Sequence, residues 1–91
     1  MATKEKIKEK TLTEDAVSVN HEIIIYNDDV NTFDHVIETL IRVCSHTGEQ
    51  AEQCALIIHY KGKCTVKTGV MKELVPQCTQ LLEAGLSAEI I

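Results

Sequence analysis

No stretch of the chain approaches the roughly 18 consecutive apolar residues that a membrane-spanning helix needs. The start carries no charged–apolar–small leader of the secretory type, which predicts a cytoplasmic protein. Basic residues are the minority: Lys and Arg number 9 against 14 Asp and Glu, a formal net charge of −5. A nonspecific nucleic-acid binder needs a basic surface to neutralise phosphates, so that class is disfavoured. Cys44, Cys54, Cys64 and Cys78 include no Cys-x-x-Cys, which argues against a zinc knuckle or a thioredoxin-type centre. They read as reduced thiols serving as small core residues. His21, His35, His46 and His59 contain no i,i+4 ligand pair, so neither a metal nor another cofactor is expected. A Gly-rich phosphate loop and a G-x-S-x-G elbow are also missing.

The 91 residues leave room for one domain, and 44% hydrophobic with 25% charged residues is an ordinary globular composition. Residues 1–20, MATKEKIKEKTLTEDAVSVN, alternate Lys and Glu and carry few large apolar side chains. Such a segment buries too little to offset its ordering entropy and reads as a flexible tail. Its four lysines balance Glu5, Glu9, Glu14 and Asp15, so the domain at 21–91 holds the whole net charge.

Within that domain His21–Tyr26 is β-branched and aromatic and reads as a strand. The run Ile23-Ile24-Ile25 breaks strict alternation, so both sheet faces are expected to be partly covered. Asn27-Asp28-Asp29 stops the strand with short polar side chains that bond nearby backbone. Asn31 or Thr32 then caps a helix whose apolar residues, Phe33, Val36, Ile37, Leu40, Ile41 and Cys44, fall on one face. Thr47-Gly48-Glu49-Gln50 fits a capping box and opens a second helix with a small-residue stripe, Ala51, Cys54, Ala55 and Ile58. Lys61-Gly62-Lys63 is a turn, Cys64–Lys67 a strand, and Gly69 its exit. Met71, Leu74, Cys78, Leu81 and Leu82 mark a third helix, in which Pro76 either kinks the axis or marks the true first turn. Gly85 ends it, and Leu86–Ile91 is a last strand. The order β-α-α-β-α-β predicts an α+β domain: a small three-stranded antiparallel sheet with three helices packed on one face.

Three chemistries are compatible with the polar residues. Asp28, Asp29 and His59 are a carboxylate pair and an imidazole, the raw material of acid–base catalysis in a small hydrolase-like domain. Alternatively, Asn-Asp-Asp is a turn and His59 a helix-end histidine with no further task. In a third reading they are acceptors for a cation. A protonated amine only donates, whereas an Asn oxygen, a carboxylate and a neutral imidazole nitrogen each accept. Beside the stripe Ala55/Ile58 such acceptors would make an amine clamp at the lip of an apolar hole, as capture of a peptide N-terminus requires. Composition does not choose among the three.

Longer motifs do. Ile25-Tyr26-Asn27-Asp28-Asp29 with Phe33-Asp34-His35-Val36, then Glu49-Gln50-Ala51-Glu52-Gln53 and Leu56-Ile57-Ile58-His59-Tyr60-Lys61-Gly62-Lys63, resemble the ClpS family, the N-degron adaptors of the ATP-dependent Clp protease. The resemblance covers residues 21–70 well and 71–91 loosely. It implies an adaptor without enzymatic activity. Such a protein holds substrates with a free α-amino group and a large apolar first residue (Leu, Phe, Tyr or Trp), and delivers them for degradation. Its implied partners are the N-terminal domain of a Clp-family AAA+ unfoldase, ClpA- or ClpC-like, with a ClpP-type peptidase, and the adaptor itself is expected to be a monomer. A peptide-binding module unrelated to Clp is the alternative. Carried over by position, Asn27, Asp28 and His59 bind the α-amine, Asp29 supports the turn, and Asn31, Phe33, Ala55, Ile58 and Leu86 line the side-chain pocket. Lys72 and Glu73 fall where the family meets its unfoldase, and the tail at 1–20 corresponds to an extension used in delivery. The chain departs from the family's Thr-Pro-Met, which reads Asn31-Thr32-Phe33 here, and has Ala55 where a larger residue, often Met, is common. Large for small on one wall and small for large on another is a compensated swap.

Overall fold

The computed structural model describes residues 21–91, so the tail expected at 1–20 lies outside the described residues. Chain order is β1 (His21–Tyr26), α1 (Phe33–Cys44), α2 (Gly48–Lys61), β2 (Lys63–Gly69), α3 (Met71–Glu83) and β3 (Ser87–Ile90). The strands form one antiparallel sheet in the order β2-β1-β3, with β1 in the centre. This is the α+β arrangement expected from the hydrophobic pattern.

Ile23 and Ile25 point into the core and are fully buried, while Ile24 faces the other side and is still only 7% exposed. Its cross-strand neighbours are Thr65 and Glu89. Thr65 donates to Glu22 and Tyr26 donates to Glu89, so polar pairs screen Ile24 on the open face. A register shift opposite Ile23/Ile24 leaves Val66 as the extra residue of a bulge, and Val66 turns into the core.

The helix boundaries follow their caps. Thr32, not Asn31, caps α1 by accepting from the His35 N–H at 3.1 Å. Thr47 and Gln50 close a reciprocal capping box at 3.0 and 2.9 Å. Helix α3 runs unbroken through Pro76, which therefore neither starts nor ends it; the ring sits on the exposed side, where the carbonyl it leaves unpaired meets water. After α3, Gly85 takes φ 92°, its N–H bonding Leu82 and the Leu86 N–H bonding Leu81. That closing turn uses Leu86, so β3 begins one residue later than the sequence pattern predicts. Strand β2 is longer than predicted because its partner β1 supplies six paired positions.

The buried stripes of the three helices, among them Leu40, Ala51, Ala55, Leu74 and Leu81, close over the inner face of the sheet. Phe33 and Leu82, expected on apolar faces, are 41% and 52% exposed because each sits at the border of its stripe.

Candidate functional site

The end of β1 and the end of α2 meet at one corner. The Asn27 N–H donates to the Gly62 carbonyl at 2.8 Å, tying the residue after β1 to the left-handed glycine that terminates α2. Gly62 has φ 95°, a conformation that costs a side-chain-bearing residue about 1 kcal/mol or more. His59, in the last turn of α2, is thereby brought beside Asn27.

Asp28 organises the loop that follows. Its Oδ1 accepts from the backbone N–H groups of Val30 (3.0 Å) and Asn31 (2.9 Å). Its Oδ2 accepts from the Asn31 side-chain amide (2.8 Å) and the Ser87 hydroxyl (3.1 Å). Four donors match the roughly four lone-pair sites of a carboxylate. Chiefly through the Asn31 backbone N–H, they hold the carboxyl below its ordinary pKa against the opposing effect of burial. Asn31 also donates to the Gly85 carbonyl at 2.8 Å, and His35 Nε2 donates to Ala84 at 2.8 Å. The loop is thus sewn to the turn between α3 and β3. Asp29 is exposed, and no described residue donates to its carboxylate. The supporting carboxylate of the turn is therefore Asp28, and Asp29 points its charge at solvent.

A cavity of about 60 Å³ opens at this corner, lined by Asn27, Asn31, Phe33, Val36, Ala55, Ile58 and His59. A second recess of about 20 Å³ shares Asn27, Asn31, Val36 and Ile58 and extends to Asp28 and Leu86. Every residue that the sequence assigned to the amine clamp or the side-chain pocket borders one of the two. The floor is apolar and buried, with Ala55 at 3% and Ile58 at 4% exposure, while Asn27 and His59 are exposed at the rim. The His59 ring packs edge-on against Tyr60, centroids 5.0 Å apart. Lys72 and Glu73 border neither recess; both are exposed in the first turn of α3. Among the described residues no three His, Cys, Asp or Glu are grouped to hold a metal ion.

Sequence reasoning missed the long-range contacts by which Ser87, Gly85 and Ala84 hold Asp28, Asn31 and His35 from the far end of the chain. No local spacing reports contacts of that range. It also missed Val36, whose helical spacing marks it only as core.

The ClpS family model, described as ATP-dependent Clp protease adaptor protein ClpS, matches residues 17–89. The ClpS adapter of Thermosynechococcus vestitus is 35% identical over 69 residues, 75% of this chain and 73% of the relative. That of a Nostoc species is 36% identical over 69 residues, 75% and 71% of the two chains. The solved structure of Agrobacterium tumefaciens ClpS2 bound to L-phenylalaninamide superposes with a TM-score of 0.66 at 16% identity, covering 78% of this chain and 93% of that one. At that identity the likeness speaks for the fold, and the sequence matches speak for descent. The chain belongs to the ClpS family of ATP-dependent Clp protease adaptor proteins.

Proposed function

We propose that this adaptor binds the free N-terminus of substrates that begin with a large apolar residue and hands them to a Clp ATPase–peptidase. The observation that carries the reading is the single cavity shared by Asn27 and His59, far apart in sequence, over the apolar floor of Ala55 and Ile58. Solved ClpS2, of the same fold, holds L-phenylalaninamide, which has a free α-amine and an aromatic side chain.

An N-terminal amine has an ordinary pKa of about 7.7–8.0 and is mostly charged at neutral pH. Asn27 offers its side-chain oxygen and His59 a ring nitrogen. Asp28 is ionised throughout the neutral range, so it adds a fixed negative charge; the amine reaches Oδ2 where the exposed Ser87 hydroxyl now donates. Charge-assisted hydrogen bonds contribute about 1.5–3 kcal/mol each, and burial of a Leu or Phe side chain about 1.5–3 kcal/mol. After ordering costs these terms support micromolar or tighter binding. The cavity is smaller than such a side chain. Phe33, half-exposed at its mouth, is the wall free to swing aside.

Acetylation removes both the charge and the donors of the amine. Peptides differing only in the first residue, each free and acetylated, therefore form the test by fluorescence anisotropy. Tight binding of free Phe- or Leu-initiated peptides with loss on acetylation is expected; equal binding of acetylated peptides refutes the clamp. Delivery is tested by degradation of a Phe-initiated reporter with a Clp unfoldase and peptidase, with and without the adaptor. Lys72 and Glu73 enter the proposal as candidate unfoldase contacts, and substitution of both is expected to slow delivery while peptide binding persists.

A further inference from the structure

The amine clamp occupies one side of the cavity mouth. Asn27 and His59 stand there, brought together where the Asn27 N–H bonds Gly62 at the end of α2. Across the mouth is Phe33, in the first turn of α1. Asn31, on the loop before it, has its amide engaged by Asp28 and Gly85. A first residue bound here sends its amine to Asn27 and His59 and its side chain over Ala55 and Ile58. Its carbonyl, and the rest of the substrate chain, must leave in the remaining direction, across Phe33. There an apolar ridge begins. Phe33, Ile37 and Ile41 recur every four residues on one border of the buried stripe of α1. Ile37 is half-buried against the core, and Ile41 is 41% exposed. The opposite border carries His35, which bonds Ala84 at the end of α3. The ridge therefore lies on the side of α1 away from α3 and flanks α2, whose Ala55, Ile58 and His59 share the cavity with Phe33.

We propose that this ridge reads the substrate downstream of its first residue and selects chains with apolar side chains at the third and fifth positions. The proposal rests on the reading of the cavity as an N-terminus site and adds the class of sequence that follows the N-terminus. The spacing supports it. Four residues of helix advance about 6 Å, and two residues of an extended chain advance about 6.6 Å. An extended substrate leaving over Phe33 therefore keeps step with the ridge. Alternate side chains of an extended chain share one face. With the first side chain in the cavity, the third falls toward Ile37 and the fifth toward Ile41, while the second and fourth face solvent. Covering the exposed part of Ile41 and the substrate side chain opposite it removes apolar surface from water on both partners.

The test uses the full chain and three peptides with free N-termini, beginning Phe-Ser-Leu-Ser-Leu, Phe-Leu-Ser-Leu-Ser and Phe-Ser-Ser-Ser-Ser. Each is followed by the same labelled tail, and binding is read by fluorescence anisotropy. The first peptide should bind about fivefold tighter or more than either of the others. Unlabelled L-phenylalaninamide, which ends before the ridge, serves as the competitor that reads the cavity alone. In Ile41→Gln, with folding checked by urea unfolding, the advantage of the first peptide should shrink by at least about twofold while L-phenylalaninamide competes as in the wild type. Equal binding of the first and third peptides by the wild type overturns the proposal. So does equal binding of the first and second, because the register is then wrong. An undiminished advantage in folded Ile41→Gln overturns the assignment to α1. In each of these cases L-phenylalaninamide still competes and the cavity reading survives. If L-phenylalaninamide does not compete at all, the cavity reading falls and the ridge falls with it.

Discussion

Asp28→Asn separates the two jobs assigned to one carboxylate. In the wild type the group accepts from two backbone N–H groups, one amide and one hydroxyl. Asparagine keeps an oxygen for the Val30 and Asn31 N–H groups, so the turn persists. Its amide meets the Asn31 amide donor to donor, which forfeits one part-buried bond. The Ser87 hydroxyl rotates and accepts instead. Losing one such bond costs about 1–3 kcal/mol, a survivable fraction of the stability of a small domain. Removing the charge costs the amine about 1.5–3 kcal/mol, or roughly 10- to 100-fold in Kd. Asp28→Ala would strip all four donors at once and confound binding with folding, so it is the poorer experiment. The assay pairs urea unfolding with anisotropy of a labelled Phe-initiated peptide. A folded Asp28→Asn protein whose affinity stays within twofold of wild type refutes the role of the charge.

His59→Ala should leave stability within about 0.5 kcal/mol, because the ring is exposed, and should weaken peptide binding about tenfold or more; urea unfolding and anisotropy check both. Ala55→Met pushes extra side-chain atoms into the cavity of about 60 Å³ while Phe33 still closes it, so binding of Phe- and Leu-initiated peptides should fall at least tenfold. Adding Phe33→Met should recover much of that loss; strict additivity in the double-mutant cycle removes the compensated swap. On acidification the Asp28 contribution has a defined sign. Its folded pKa is below the ordinary 3.8, so the stabilisation is complete above that value and is lost as pH falls below it through the folded pKa. Unfolding free energies between about pH 2 and pH 6 should show this loss in wild type and not in Asp28→Asn.

Much of this fold is legible because the signals are local. The Thr47/Gln50 capping box, the glycine after α3 and the helical stripes each fix an element within a few residues of chain. Burial of three successive isoleucines was also readable, since a central strand with helices on one face needs only polar cross-strand pairs to screen the other. The amine clamp and pocket residues were named through motif resemblance, and their convergence on one corner follows from the Asn27–Gly62 bond. The division of labour between Asp28 and Asp29 was not legible. Both are short acids in one turn, and only the approach of Ser87 and Asn31 decides which carboxylate is consumed. The contacts of Ser87, Gly85 and Ala84 with Asp28, Asn31 and His35 escaped for the same reason: they span more than half the chain, and no spacing rule reports a contact of that range.

That long-range seam makes Asn31 the strongest test of how the loop is held. Its amide donates at 2.8 Å to Asp28 Oδ2 and at 2.8 Å to the Gly85 carbonyl, bridging the loop after β1 to the turn before β3. In Asn31→Ala the backbone N–H still reaches Asp28 Oδ1, so the turn retains its main donor. The charge-assisted side-chain bond, worth about 1.5–3 kcal/mol, is lost, while the exposed Gly85 carbonyl recovers water and costs little. Asp28 should therefore titrate closer to its ordinary 3.8 than in wild type while staying below it, because the backbone donors remain. Carbon-detected NMR titration of the Asp28 carboxyl reads this directly. Amide exchange at Gly85 through Ser87 should quicken in the same variant as the seam opens. An Asp28 titration indistinguishable from wild type would mean that the Asn31 amide does not restrain the carboxylate in solution. The Gly85 bond would then be a surface contact with no bearing on how the loop presents its acceptors.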